Sequence, residues 1–210
     1  SIGQYAFYHC SGITQITLPP RLETIGEMAF TNIGITDITI PSGVTSMGGY
    51  LFDHNDGSSS LSSVTFANGM TQLNIKYGNL PDSVQIVNLP NTLTTISGNP
   101  FGSSALTEAV IPDSVTTLTG SGIEINSSAC TSITIGSGVT DFALFRISSN
   151  IHVPSLTIKS TTVPTSFSNI FGNNNTPEKI YVPCESLGAY KAAVYNEGQD
   201  PSIVESYVAG

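Results

Sequence analysis

The chain has 210 residues, a net charge of −9, and only 10% charged residues against 39% hydrophobic ones. Six basic residues, scattered along the chain, exclude the clustered Lys and Arg that a nucleic-acid backbone or an anionic membrane surface requires. No apolar run approaches the length of a membrane-spanning helix. With this apolar content and a clear period the chain is not disordered, so the low charge describes a neutral surface rich in Ser, Thr, Asn and Gly.

The first informative stretch is residues 13–25, ITQITLPPRLETI, because it returns. Residues 35–47 read ITDITIPSGVTSM; copies follow at Leu61 (LSSVTFANGMTQL), Leu106 (LTEAVIPDSVTTL) and Cys130 (CTSITIGSGVTDF). One residue of each unit forms the column Leu18, Ile40, Phe66, Leu89, Ile111, Ile135, Ile158 and Val182, at spacings of 22, 26, 23, 22, 24, 23 and 24 residues. A period in this range indicates a solenoid, in which each unit buries its apolar face only against its neighbours. Two residues earlier stand Ile16, Ile38, Val64, Val87, Ala109, Ile133, Leu156 and Ile180. The residues between are mostly threonine: Thr17, Thr39, Thr65, Asn88, Val110, Thr134, Thr157 and Tyr181. This alternation predicts a short strand with one buried face. Pro19, Pro41, Pro90, Pro112 and Pro183 end it, since proline offers no N–H and favours a turn.

A second apolar pair follows each turn: Leu22/Ile25, Val44/Met47, Met70/Leu73, Leu93/Ile96, Val115/Leu118 and Val139/Phe142. Five residues later a further anchor recurs as Phe7, Phe30, Phe52, Phe101, Ile123 and Ile147, interrupted by Gly78 beside Tyr77. Units of this size are expected to join their anchors into one continuous core along a rod.

The segments SIGQYAFYHCSGIT, IGEMAF and SGVTSMGGYLF, with the ITxITIP alternation, resemble the BspA-like (Treponema-type) leucine-rich repeats of secreted and cell-surface proteins from Bacteroides-like bacteria. Later units keep the apolar skeleton but lose the glycine and the Ala–Phe pair, as in ISGNPF and LTGSGI. The tail KIYVPCESLGAYKAAVYNEG is similar to the C-terminal module of secreted members. The resemblance implies a right-handed, β-rich stack of about eight coils of 22–26 residues with a C-terminal helical cap. It implies surface display and binding, and no particular ligand.

Two irregular stretches read as loops. Residues 53–57, DHNDG, superficially resemble a calcium loop, but glycine falls at the fifth position and no bidentate Glu follows. The run SFSNIFGNNNTP, residues 166–177, reads as an exposed turn with Phe167 and Phe171 packed beneath it. At the end, Leu187, Tyr190, Lys191 and Val194 carry helical spacing, with Glu185 and Ser186 at the start and Asn196 to Gly198 at the stop. The expected organisation is one solenoid over residues 1–183 and a capping module of the same domain over residues 184–210. No targeting or anchor segment is visible, and an extracellular or cell-surface location rests on the resemblance.

Candidate chemistry is sparse. His9, His54 and His152 share no column, the acidic residues form no recognisable pair, and neither a nucleophile elbow nor a phosphate loop is present. CxxC and HxxxH metal spacings are absent, so neither metal nor cofactor is expected. Three cysteines leave at least one thiol unpaired. Cys10, Cys130 and Cys184 fall in different coils, with Cys130 and Cys184 about 10 Å apart along the rod, so no internal disulfide is expected.

These features point to a non-catalytic binding or adhesion module for a host or neighbouring-cell protein. The candidate surface is the outward column Thr17, Thr39, Thr65, Thr134, Thr157 and Tyr181. A glycan stacked on exposed aromatics, or a spacer displaying another domain, are the alternatives.

Overall fold

A computed structural model describes residues 1–52, 59–76, 80–103, 105–148, 151–165, 167, 170 and 176–207. The calcium-like residues 53–57, the Tyr77–Gly78 pair, Phe171 and the asparagines 173–175 lie outside the described residues.

The elements in chain order are β1 (Thr24–Ile25), β2 (Asp37–Ile40), β3 (Ser46–Met47), β4 (Ser63–Phe66), β5 (Gln72–Asn74), β6 (Ile86–Asn88), β7 (Thr95–Ser97) and β8 (Glu108–Ile111). They continue with β9 (Thr117–Thr119), β10 (Ile123–Ile125), β11 (Ser132–Ile135), β12 (Phe145–Ile147), β13 (Ser155–Ile158), β14 (Lys179–Pro183), helix α1 (Leu187–Asn196) and β15 (Val204–Tyr207). Every ladder is parallel, as a coil that always advances in one direction demands.

The principal strands form two ladders, β2-β4-β6 and β8-β11-β13-β14-β15; second strands form β1-β3 and β5-β7-β9, and β10 pairs with β12. The result is the expected leucine-rich-repeat-like parallel stack with a C-terminal helix, of about seven turns against about eight repeat units in the sequence. The difference lies in the first copy: residues 13–18 form no strand, and Ile16 is half-buried where Ile38, Val64, Ile133 and Ile180 are buried. One side of that first turn has no described turn stacked on it, so its anchors Ile2, Phe7 and Ile13 are also half-buried.

From the second turn onward the alternation becomes structure. Along β2 the pattern is exposed, buried, exposed, buried, and β8 repeats it. Ile40, Phe66, Ile111, Ile135, Ile158 and Val182 are all buried, as are the second pairs from Leu22/Ile25 to Leu93/Ile96 and Val139/Phe142. Phe7, Phe30 and Phe52 stack in successive turns, with ring centroids 5.6 and 5.5 Å apart and planes 10° and 11° from parallel. Such offset stacks suit aromatic quadrupoles and reinforce burial.

Small residues set the approach of one turn to the next. A Cβ on Gly48 would sit 2.2 Å from the Glu27 amide nitrogen, and one on Gly26 would sit 2.3 Å from that of Gln4. Serine hydroxyls bridge turns elsewhere: Ser83, Ser103, Ser114 and Ser127 donate to the carbonyls of Leu61, Val84, Leu93 and Leu106, each at 2.7 Å. These bonds satisfy buried carbonyls that the short strands leave without ladder partners.

The C-terminal end is closed by more than a helix. Helix α1 covers residues 187–196 and buries Tyr190 and Val194, as its spacing predicts. The Tyr190 hydroxyl donates to the carbonyls of Ser160 at 2.9 Å and Thr162 at 3.1 Å. The chain then returns and β15 adds to the edge of β14, which repeat spacing does not foresee. Phe167 is buried as expected and packs edge-on to Tyr190 at 6.1 Å.

Candidate binding face of the principal sheet

The parallel register aligns the outward residues into rows. Thr39 pairs with Thr65 and Thr65 with Asn88; in the longer ladder Val110, Thr134, Thr157, Tyr181 and Glu205 stand side by side. A second row runs Asp37, Ser63, Ile86, and then Glu108, Ser132, Ser155, Lys179. Neighbouring members of a row are spaced by the strand separation, about 4.8 Å. Of the six column residues expected to face out, Thr39 is exposed and Thr65, Thr134, Thr157 and Tyr181 are half-exposed. Thr17 is exposed too, but its segment forms no strand and it stands outside both ladders.

Between the two ladders the register continues. The Thr107 N–H donates to the Gln85 carbonyl at 3.1 Å, as Ser62 does to Thr36 and Gln85 to Ser62 in the regular pairs. This places Glu108 beside Ile86 and Val110 beside Asn88. The Thr39 row therefore runs from β2 to Glu205 on β15, and the Asp37 row from β2 to Lys179 on β14.

Tyr181 is not the end of its row. Glu205 lies beside it, and the Lys179 ammonium bonds the Glu205 carboxylate at 2.5 Å. That hydrogen bond, with the adjacent negative charge, pushes the Lys179 pKa up. Lys159 pairs with Asp113 at 3.2 Å, Arg146 with Glu124 at 3.9 Å, and the exposed His152 with Glu178 at 2.7 Å. These four pairs all join residues in the C-terminal half of the chain. Asp37 and Glu108 differ: among the described contacts they accept only from the hydroxyls of Thr36 and Ser132.

The structure also exposes tyrosines that the strand pattern does not single out. Tyr5, Tyr8 and Tyr50 are 49%, 37% and 40% exposed on the segments that follow the second strand position. Tyr5 and Tyr8 meet edge-on at 5.4 Å, and Tyr8 meets His9 at 4.3 Å. Tyr5, Met28 and Tyr50 occupy one column with left-handed backbone, φ +58°, +53° and +53°. Non-glycine residues take that conformation at a cost, so stacking of the turns holds them there. The signal in the sequence is the recurring IGQY, IGEM and MGGY.

Among the described residues, no group of three or more His, Cys, Asp and Glu lies together to hold a metal ion. No helix among them is long and apolar enough to cross a membrane. Cys130 is buried, and burial pushes its thiol pKa up. Cys10 is half-buried, Cys184 is exposed, and all three are free thiols. Strand β13 lies between the strands that follow Cys130 and precede Cys184.

The BspA type leucine rich repeat region matches residues 1–123 in six copies. Among solved structures, the pneumococcal vaccine antigen PcpA is similar at a TM-score of 0.55 and 17% identity, covering 99% of this chain. The chain spans 65% of that antigen's length. A leucine-rich repeat protein of Bacteroides ovatus ATCC 8483 (TM-score 0.39) and a leucine rich cell surface protein of Faecalibacterium prausnitzii A2-165 (TM-score 0.42) are each 17% identical. Both align over 99% of this chain and over 75% and 77% of their own lengths. No curated protein matches. The repeat match over more than half of the sequence, on a parallel solenoid with the same buried columns, shows that this chain belongs to the BspA-type leucine-rich repeat family.

Proposed function

We propose that this chain is a non-catalytic, cell-surface module that binds a protein of a host or neighbouring cell through the outer face of its principal sheet. The observation that carries this reading is the continuous register, which presents the outward residues of successive turns as two long rows. Binding energy on such a face spreads over many modest contacts and concentrates where a large side chain anchors them. Surface display is supported by membership of a repeat family and by the fold shared with a vaccine antigen.

The test is adherence of the purified chain to host and bacterial cells, with the target cells treated by protease or by periodate. Protease treatment is expected to abolish adherence. Single changes of Thr39, Thr65, Thr134 or Thr157 to Ala are expected to do little, while Tyr181→Ala weakens binding by about 1–3 kcal/mol. Adherence that survives protease but not periodate refutes the protein partner. It favours a glycan reading, which the exposed tyrosines of the first turns support.

A further inference from the structure

Every turn offers two outward positions on its principal strand, and nearly all are polar. Two adjacent turns depart from this: Ile86 in β6 is 49% exposed and Val110 in β8 is 40% exposed. The Thr107–Gln85 hydrogen bond sets Glu108 on the strand next to Ile86 and Val110 next to Asn88, so the two aliphatic side chains stand on adjacent turns of the same face. No described turn covers them, because they lie midway along the rod on its outer face. The inward residues Val87, Ala109 and Ile111 already supply the core at these turns. Ile86 and Val110 are therefore not needed to close it.

The charges around the pair point one way. Glu108 is on the next strand from Ile86, and Asp37 is two strands away on the other side, about 10 Å along the same row. Neither carboxylate has a cation among the described contacts, whereas Asp113, Glu124 and Glu205 each face a lysine or arginine. Across Ile86 and Val110 the polar rim is Thr65, Asn88 and Thr134; Asn88 donates to the Thr65 hydroxyl at 3.0 Å. An exposed apolar centre with a hydrogen-bonding rim and uncompensated charge of one sign is the make-up of a recognition site.

The geometry points to Ile86 and Val110 as the anchor of the binding face, flanked by Asp37 and Glu108, and taking a polypeptide segment with apolar side chains between lysines or arginines. The apolar side chains cover Ile86 and Val110, and the cations meet carboxylates that have no cation among the described contacts. This assignment rests on the protein-binding reading above and moves its centre from Tyr181 to the middle turns.

The test uses a fluorescent ten-residue peptide with two central apolar residues flanked by lysines. Controls replace the lysines by glutamates or the apolar pair by serines. The lysine-flanked peptide is expected to bind with Kd below about 1 mM and to weaken as salt rises. Neither control should bind. Ile86→Ser with Val110→Thr, which places in these turns the side chains found in others, lowers affinity about tenfold. Asp37→Asn with Glu108→Gln lowers affinity and removes the salt dependence. Both double variants keep the wild-type thermal transition, since all four side chains face outward. Absence of binding, equal binding of the glutamate peptide, or unchanged affinity in both variants overturns the assignment. If it falls while protease-sensitive adherence persists and Tyr181→Ala weakens it, the broader reading stands with its anchor elsewhere. If adherence is protease-resistant, that broader reading falls by itself.

Discussion

Replacing Phe30 by alanine tests whether the rod behaves as a chain of nearest-neighbour couplings. Phe30 is fully buried and is the middle ring of a three-turn stack, touching Phe7 and Phe52 at about 5.5 Å on its two faces. Truncation of a buried Phe to Ala costs about 3–5 kcal/mol through lost burial and residual cavity. Losing two ring pairs, each worth about 0.5–1.5 kcal/mol, places this site in the upper part of that range, about 4–5 kcal/mol. In a solenoid the loss is local, because each turn contacts only its neighbours. Hydrogen exchange should show the opening free energy of amides in residues 24–52 falling by that amount. Amides of β11, β13 and β14 should change by less than about 0.5 kcal/mol. Phe30→Leu, which refills most of the volume, should cost less than about 2 kcal/mol. A uniform loss along the whole rod would refute the nearest-neighbour account, and a loss below about 2 kcal/mol would refute the role given to the stack.

Three further outcomes follow from the buried columns. Ile133→Ala, at a fully buried site in register with Ala109 and Leu156, should lower stability by about 2–4 kcal/mol in urea unfolding. Tyr190→Phe removes the donor shared by the Ser160 and Thr162 carbonyls and should cost about 1–2 kcal/mol, read as weakened protection of α1 and β15. Burial raises the Cys130 thiol pKa above 9.0, so the folded state holds its proton where the unfolded chain has released it. Its contribution is complete below the unfolded thiol pKa and is lost as pH rises through that value toward the folded one. Cys130→Ala should therefore flatten the alkaline side of the stability profile, and native protein at neutral pH should leave this thiol unlabelled by a thiol reagent until it unfolds.

Most of the solenoid is legible in the sequence because its core is local and repetitive. A period-2 strand places Ile38 and Ile40 inward and Thr39 outward without reference to any distant residue, and the same holds for Val64, Ile133 and Ile180. The repeat then aligns these columns from turn to turn. Helix α1 is equally local, since Tyr190 and Val194 share a face by spacing alone.

What only the tertiary structure decides depends on neighbours that spacing does not specify. Residues 204–207, VESY, carry one buried residue, Val204, and no repeat period; they form β15 because β14 leaves an open edge to pair with and α1 packs against the new strand. That strand sets Glu205 against Lys179 and Tyr181, so the tyrosine lies inside a row and not at its end. Residues 13–18 carry the repeat pattern in full yet form no strand, and Ile16 there is half-buried where Ile38 and Val64 are buried. Ile86 and Val110 look unremarkable 24 residues apart, and become one exposed pair beside Glu108 only when β8 stacks on β6. Inward positions follow from the alternation within a single turn, whereas a surface patch is made by side chains of different turns, and their juxtaposition exists only once the turns have stacked.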